Sequence, residues 1–139
     1  MTEPTDFNGK IIAEFRANGG TVGGPFAGAD ILLLHHTGAR TGTARVSPLA
    51  YLRVGEGFAV FASKAGAQEN PAWYHNLLAH PDTSVEVGTE TIPVTARLAQ
   101  PAERDVIWER QTRRAPHFAQ YATKAAPRTI PVVVLDPVK

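Results

Sequence analysis

Val46-Ser-Pro-Leu-Ala-Tyr-Leu-Arg-Val54 is followed by Gly55-Glu-Gly57 and then Phe58-Ala-Val-Phe-Ala62. Two apolar-rich runs joined by a glycine-flanked turn read as a β-hairpin. Pro48 has no amide hydrogen, which puts that part of the first strand at an edge or a bulge. The device recurs downstream, where Thr83–Val87 and Thr91–Leu98 flank Gly88-Thr-Glu90. Ile31–His36 is a short apolar run that reads as a buried strand, and Ile130–Leu135 as a terminal one.

Helices fill the intervals. Asp6 is placed to cap a helix over 7–17, with Phe7, Ile11, Ile12 and Phe15 on one stripe and Asn18-Gly19-Gly20 as its stop. Gly23-Gly24-Pro25 makes a loop. Asn70-Pro71 predicts an N-cap and first helical residue, with the helix running to about Ala79. Pro101 opens a helix to about Arg113, and Pro116 a shorter one. Hairpins dominate and strands do not alternate with helices, so the class is α+β, an antiparallel sheet or barrel decorated with helices. At 139 residues with 43% apolar content, residues 1–139 are expected to form a single domain with a real core.

Composition excludes more than it selects. Fourteen Lys+Arg against 13 Asp+Glu leave a net charge of +1, which is no footprint for nucleic acid. The charge is uneven, however. Residues 38–68 carry Arg40, Arg45, Arg53 and Lys64 against Glu56 alone, whereas residues 69–90 carry acids and no Lys or Arg. A local cationic zone in a neutral chain suits a small anionic ligand. No cysteine is present, so disulfides and thiolate chemistry are excluded. The first residues lack the pattern of a signal peptide, and no apolar run reaches membrane-spanning length, so a cytoplasmic location is expected.

Thr37-Gly-Ala-Arg-Thr-Gly-Thr-Ala-Arg45 is a glycine-bearing turn with two arginines. Its amides can face an anion with Arg40 and Arg45 beside them, or it is simply a solvated turn. Ala62-Ser-Lys-Ala-Gly66 leaves a strand end carrying Lys64 and a hydroxyl, and two such loops together favour an anion site. Trp73 and Tyr74 lie ~100° apart on the next helix, so one should enter the core and the other could line a pocket. Two core or boundary aromatics are a stronger reading than stacking by both. His35 and His36 point to opposite sides of a strand, and His75 and His80 are misplaced for a shared ligand, so no metal site is expected. Phe118 and Tyr121 share a helix face; Phe118 reads as core, while the phenol of Tyr121 can donate a proton.

Six pieces in this order resemble the deazaflavin-dependent nitroreductase family: Ile12-Ala-Glu-Phe-Arg-Ala-Asn-Gly-Gly20, Val22-Gly-Gly-Pro-Phe26, Thr37-Gly-Ala-Arg-Thr-Gly42, Ala62-Ser-Lys-Ala-Gly66, Asn70-Pro-Ala-Trp-Tyr-His-Asn-Leu77 and Arg128-Thr-Ile-Pro-Val132. The resemblance implies a split β-barrel and coenzyme F-420, an 8-hydroxy-5-deazaflavin with a phospholactyl-polyglutamate tail. It implies that Arg40, Arg45 and Lys64 meet the anionic tail, helped by Ser63 and the amides through Gly66. The deazaflavin would lie by Ala62, Trp73 and Asn76.

The reaction so implied is hydride transfer to a quinone, nitroaromatic or other activated acceptor, with Tyr121, Ser63 or solvent supplying the proton. Only Tyr121 keeps a tyrosine where the family's C-terminal helix is tyrosine-rich, since Phe118 and Ala115 occupy the other positions. Two alternatives stand beside this reading: an FMN-binding split-barrel oxidoreductase, and a non-catalytic carrier of deazaflavin or lipid. Three cations suit an oligoglutamate tail better than a single FMN phosphate. Peripheral membrane contact through the N-terminal helix is the weaker reading of its amphipathic face, and core packing the stronger. The oligomeric state is left open.

Overall fold

A computed structural model describes residues 7–23 and 30–138. Asp6 and Gly24-Pro25 therefore lie outside the described residues. Helix α1 (Phe7–Ala17) precedes strands β1 (Ile31–Thr37), β2 (Ala44–Val54) and β3 (Gly57–Phe61). Helix α2 (Ala72–Ala79) leads to β4 (Asp82–Val87) and β5 (Glu90–Leu98). Then come α3 (Pro101–Arg114), α4 (His117–Ala125) and β6 (Val132–Pro137). The strands close into a barrel in the order β1-β2-β3-β6-β5-β4, with every neighbouring pair antiparallel.

The apolar runs alternate by face, as strand geometry requires. Leu32 and Leu34, Phe58 and Val60, Val133 and Leu135 share an interior core with Val85 and Val94. Their neighbours point outward but are buried as well. Ile31 and Leu33 pack with Ile11, Phe15 and Val22, while Ala59, Phe61, Val132 and Val134 pack with Ile107 and Phe118. Helices cover these outer faces, which is why the strands read as continuous apolar runs rather than clean alternations. Gly19 and Gly20 end α1 at φ 62° and 99°, and a Cβ on Gly20 would lie 2.6 Å from the backbone of Gly88. Glycine is required there by both conformation and contact.

Strand β2 is shared unequally. Residues Ala44–Ala50 pair with β1, whereas Tyr51–Val54 pair with β3. Continuing the second register would set Ser63 opposite Pro48, but the chain turns away after Phe61. The side of Ala44–Ala50 facing that turn is thus unpaired among the described residues, and Pro48 sits on this edge without a bulge. This is the split in the barrel. At another seam, β1 and β4 share only Leu33↔Glu86 and Leu34↔Val85.

Strict antiparallel order fixes which connections share an end. Thr37–Ala44, the segment after Phe61, and the start of β4 all fall at one end of the barrel. Helix α2 bridges the last two and plugs that end with Trp73 and Leu77. Asn70 does not cap it: the residue before the helix is Pro71, no side chain caps it, and Asn70 Oδ1 accepts from Arg128 instead. The other expected boundaries hold to within about two residues.

Candidate functional site

The two cationic loops foreseen from sequence both lie at this end of the barrel. The guanidinium groups of Arg40 and Arg45 are exposed and form no hydrogen bond or ion pair among the described residues. Gly38 amide to Thr43 carbonyl (2.9 Å) and Gly42 amide to Gly38 carbonyl (2.9 Å) tie off their loop. Asn76 of α2 then fastens it to the barrel plug, accepting the Ala39 amide at 2.9 Å. Because a backbone N–H fixes the amide oxygen, the Asn76 nitrogen must face His36 Nδ1, which it meets at 2.9 Å. His36 Nδ1 is therefore an acceptor, and Nε2–H donates to Ser47 Oγ at 2.9 Å. Burial, with Arg45 and His35 adding repulsion, lowers the His36 pKa to about 4, so the ring is neutral. His35 points the other way, to Glu86 at 2.7 Å.

The second loop is a single 3₁₀ turn, Lys64–Gly66. Ser63 adopts a right-handed helical conformation, at φ −76° and ψ −40°, and Lys64 follows at φ 47°. A non-glycine residue seldom adopts positive φ, and such a right-then-left pair turns successive N–H groups toward one concavity. The amides of Ser63 and Lys64 and the Ser63 hydroxyl have no partner among the described residues. The Lys64 ammonium meets Glu69 Oε1 at 2.8 Å, with the two side chains 45% and 76% exposed. Hydrogen bonding to Lys64 holds the Glu69 carboxyl below the usual carboxylate range.

An anion arriving at Lys64 competes with Glu69 for the ammonium. Glu69→Gln is therefore expected to tighten anionic ligands by roughly 2–5-fold at low salt, the scale of an exposed pair. Titration of both proteins checks this, and weaker binding by the variant would reverse the sign.

Gly66, at φ 84°, is buried under α4, where a Cβ would lie 2.8 Å from Lys124 Cβ and 3.0 Å from the Tyr121 carbonyl. Glycine here lets α4 rest on the turn and brings the Tyr121 backbone against Gly66. The Tyr121 phenol is partly exposed and has no hydrogen-bond partner among the described residues, while its ring contacts His117 and Phe118 edge-on. Ala62 and Trp73 are 0% and 6% exposed and belong to the interior core. Tyr74, partly buried, is the other member of the aromatic pair, as the ~100° offset demands. Ala62, Trp73 and Asn76 thus make the floor of this end, and Arg40, Arg45, Ser63 and Lys64 its outer donors.

Sequence reasoning missed Arg128, Glu69 and the Ser47–His36 pair as parts of this assembly. Only Glu69 left a local trace, an acid five residues beyond Lys64. A concavity of about 190 Å³ lies elsewhere, beside the β4–β5 turn, and is lined by Arg16, Glu86, Gly88, Thr89 and Glu90. Its carboxylates suit no polyanion, and it stands at the far end of the barrel.

Exposed cations and unpartnered amides thus share one barrel end with a buried apolar floor. The model of the F-420H(2)-dependent quinone reductase family matches residues 10–137. The chain belongs to this family. An F-420H(2)-dependent quinone reductase of Mycobacterium tuberculosis is 39% identical over 127 residues, covering 88% of this chain and 85% of that one. The solved F-420-dependent reductase FDR-A is 36% identical with a TM-score of 0.70, covering 76% of this chain and 93% of that one. A solved chain described as a domain-swapped dimer is 33% identical with a TM-score of 0.71, covering 91% and 92%. The Vibrio cholerae protein HutZ, 17% identical at a TM-score of 0.60 over 92% of this chain and 88% of that one, shares the fold. Among the described residues no helix is long and apolar enough to cross a membrane.

Proposed function

We propose that this family member is a coenzyme F-420-dependent oxidoreductase that delivers hydride from the reduced coenzyme to a quinone. The observation that carries the assignment to this site is the Ser63–Lys64 turn, whose free amides and Glu69-paired ammonium share the barrel end with the unpaired guanidinium groups of Arg40 and Arg45. The cation set fits a phosphate followed by glutamates, and the floor of Ala62 and Trp73 fits an apolar ring system.

When bound, reduced F-420 supplies the hydride from its C5. The chain's residues do the rest. Lys64 and the Ser63–Lys64 amides would bind the phosphate, Arg40 and Arg45 would neutralise the tail, and the α2 plug would help to exclude water from the ring. Asn76 positions the first loop rather than reaching out of it, since both its polar atoms are engaged. The Tyr121 phenol holds the proton that completes reduction of the quinone.

Intrinsic tryptophan fluorescence, titrated separately with F-420 and FMN, tests the cofactor. Tighter binding of FMN would overturn the assignment. Stopped-flow oxidation of reduced F-420 by menadione tests turnover, and a coenzyme that stays reduced across a quinone panel would mark a carrier. Tyr121→Phe should leave coenzyme affinity within about twofold and slow turnover by roughly 10–100-fold, within or just below the range for general acid catalysis. Unchanged turnover in this variant would remove the phenol from the reaction.

A further inference from the structure

We propose that Arg128 is the positioning residue that holds the Ser63–Gln68 segment in its anion-receiving form. Its guanidinium is half-buried behind the loop and uses a fork of donors on four acceptors. Nη1 donates to the Ala62 carbonyl at 3.0 Å and to Asn70 Oδ1 at 2.6 Å. Nη2 donates to the carbonyls of Ser63 at 3.0 Å and Ala67 at 2.7 Å, and Nε to Ala67 again at 3.1 Å.

The consequence follows from the trans peptide unit, in which C=O and N–H point in opposite directions. Drawing the carbonyls of Ala62, Ser63 and Ala67 inward turns the amide hydrogens of Ser63, Lys64 and Gln68 away from Arg128. These three amides have no partner among the described residues. One half-buried cation thereby presents main-chain donors at the surface, and it compensates a Lys64 backbone conformation that non-glycine residues otherwise avoid. Arg128 makes no direct ligand contact in this account: its charge is spent on carbonyls. Lysine cannot replace it, because an ammonium has neither the planar fork nor the span.

The inference rests on the anion site proposed above, so its test carries one arm without coenzyme. In the coenzyme-free protein, Arg128→Ala is expected to speed hydrogen exchange at the Gly66 and Ala67 amides, which close the 3₁₀ turn, by roughly tenfold or more. Unchanged exchange there overturns the proposal whatever the protein binds. With F-420, Arg128→Ala should raise Kd by roughly tenfold or more, while kcat with menadione at saturating coenzyme stays within about twofold. Millimolar guanidinium should recover most of the affinity, sodium chloride at equal ionic strength should not, and Arg128→Lys should resemble the alanine variant. A Kd unchanged in Arg128→Ala, or wild-type affinity in Arg128→Lys, sinks it. Should Arg128→Ala fail to fold, Asn70→Ala removes one of the four acceptors and should still raise Kd by roughly 2–5-fold; no change would overturn the proposal. A wild-type chain that fails to bind F-420 would refute the proposed function and leave the exchange result to decide Arg128.

Discussion

Lys64→Ala lowers affinity for coenzyme F-420 by on the order of 1.5–3 kcal/mol, roughly ten- to hundredfold, the range for hydrogen bonds to charged groups. Alanine is the informative replacement, because it keeps a Cβ and so leaves the backbone cost of φ 47° in place. What it removes is the ammonium and its stem, not the turn. The pair with Glu69 is exposed on both sides, so its loss should barely move the melting temperature. Calorimetric titration at two ionic strengths checks the prediction. The deficit should shrink as salt screens the wild-type contact, and an affinity equal to wild type at low salt would remove Lys64 from the site.

Acid should loosen the other loop, and the effect is comparably large. In the folded chain His36 takes its proton only at about pH 4, against 6.5 when free. Between those values the unfolded chain binds more protons, so the contribution is complete above about 6.5 and is lost as pH falls toward 4. The loss amounts to roughly 2–3 kcal/mol. Chemistry reinforces it: a protonated His36 has no lone pair for the Asn76 amide, and Asn76 cannot flip without setting its nitrogen against the Ala39 N–H. Denaturant midpoints measured from pH 7.5 to 4 should fall across this window in wild type and stay flatter in His36→Asn. Equal slopes in the two proteins would place the titrating group elsewhere.

The strands were legible because their cues are local. Alternation, β-branched runs and Gly55-Glu56-Gly57 or Gly88-Thr89 turns each sit within a few residues of what they determine. Closure of the barrel was not, because β1–β4 and β3–β6 join segments with no shared turn. The cations of the proposed site were legible as exposed charges on glycine loops. What each polar side chain holds was not. Asn70 looked like a helix cap and instead meets an arginine 58 positions on, and nothing local marked the bond by which Asn76 holds Ala39. An isolated stretch offers such an amide its nearest backbone partner, and only the folded chain supplies a better one from afar.

The meagre ladder between β1 and β4 leaves that joint to side chains: it has two paired positions, against four for β2–β3 and for β3–β6. Here Glu86 acts as the lashing across that joint, gripping Arg16 from one side and His35 from the other. Its carboxylate also lines the acidic concavity, at the other end of the barrel from Arg40, Arg45 and Lys64.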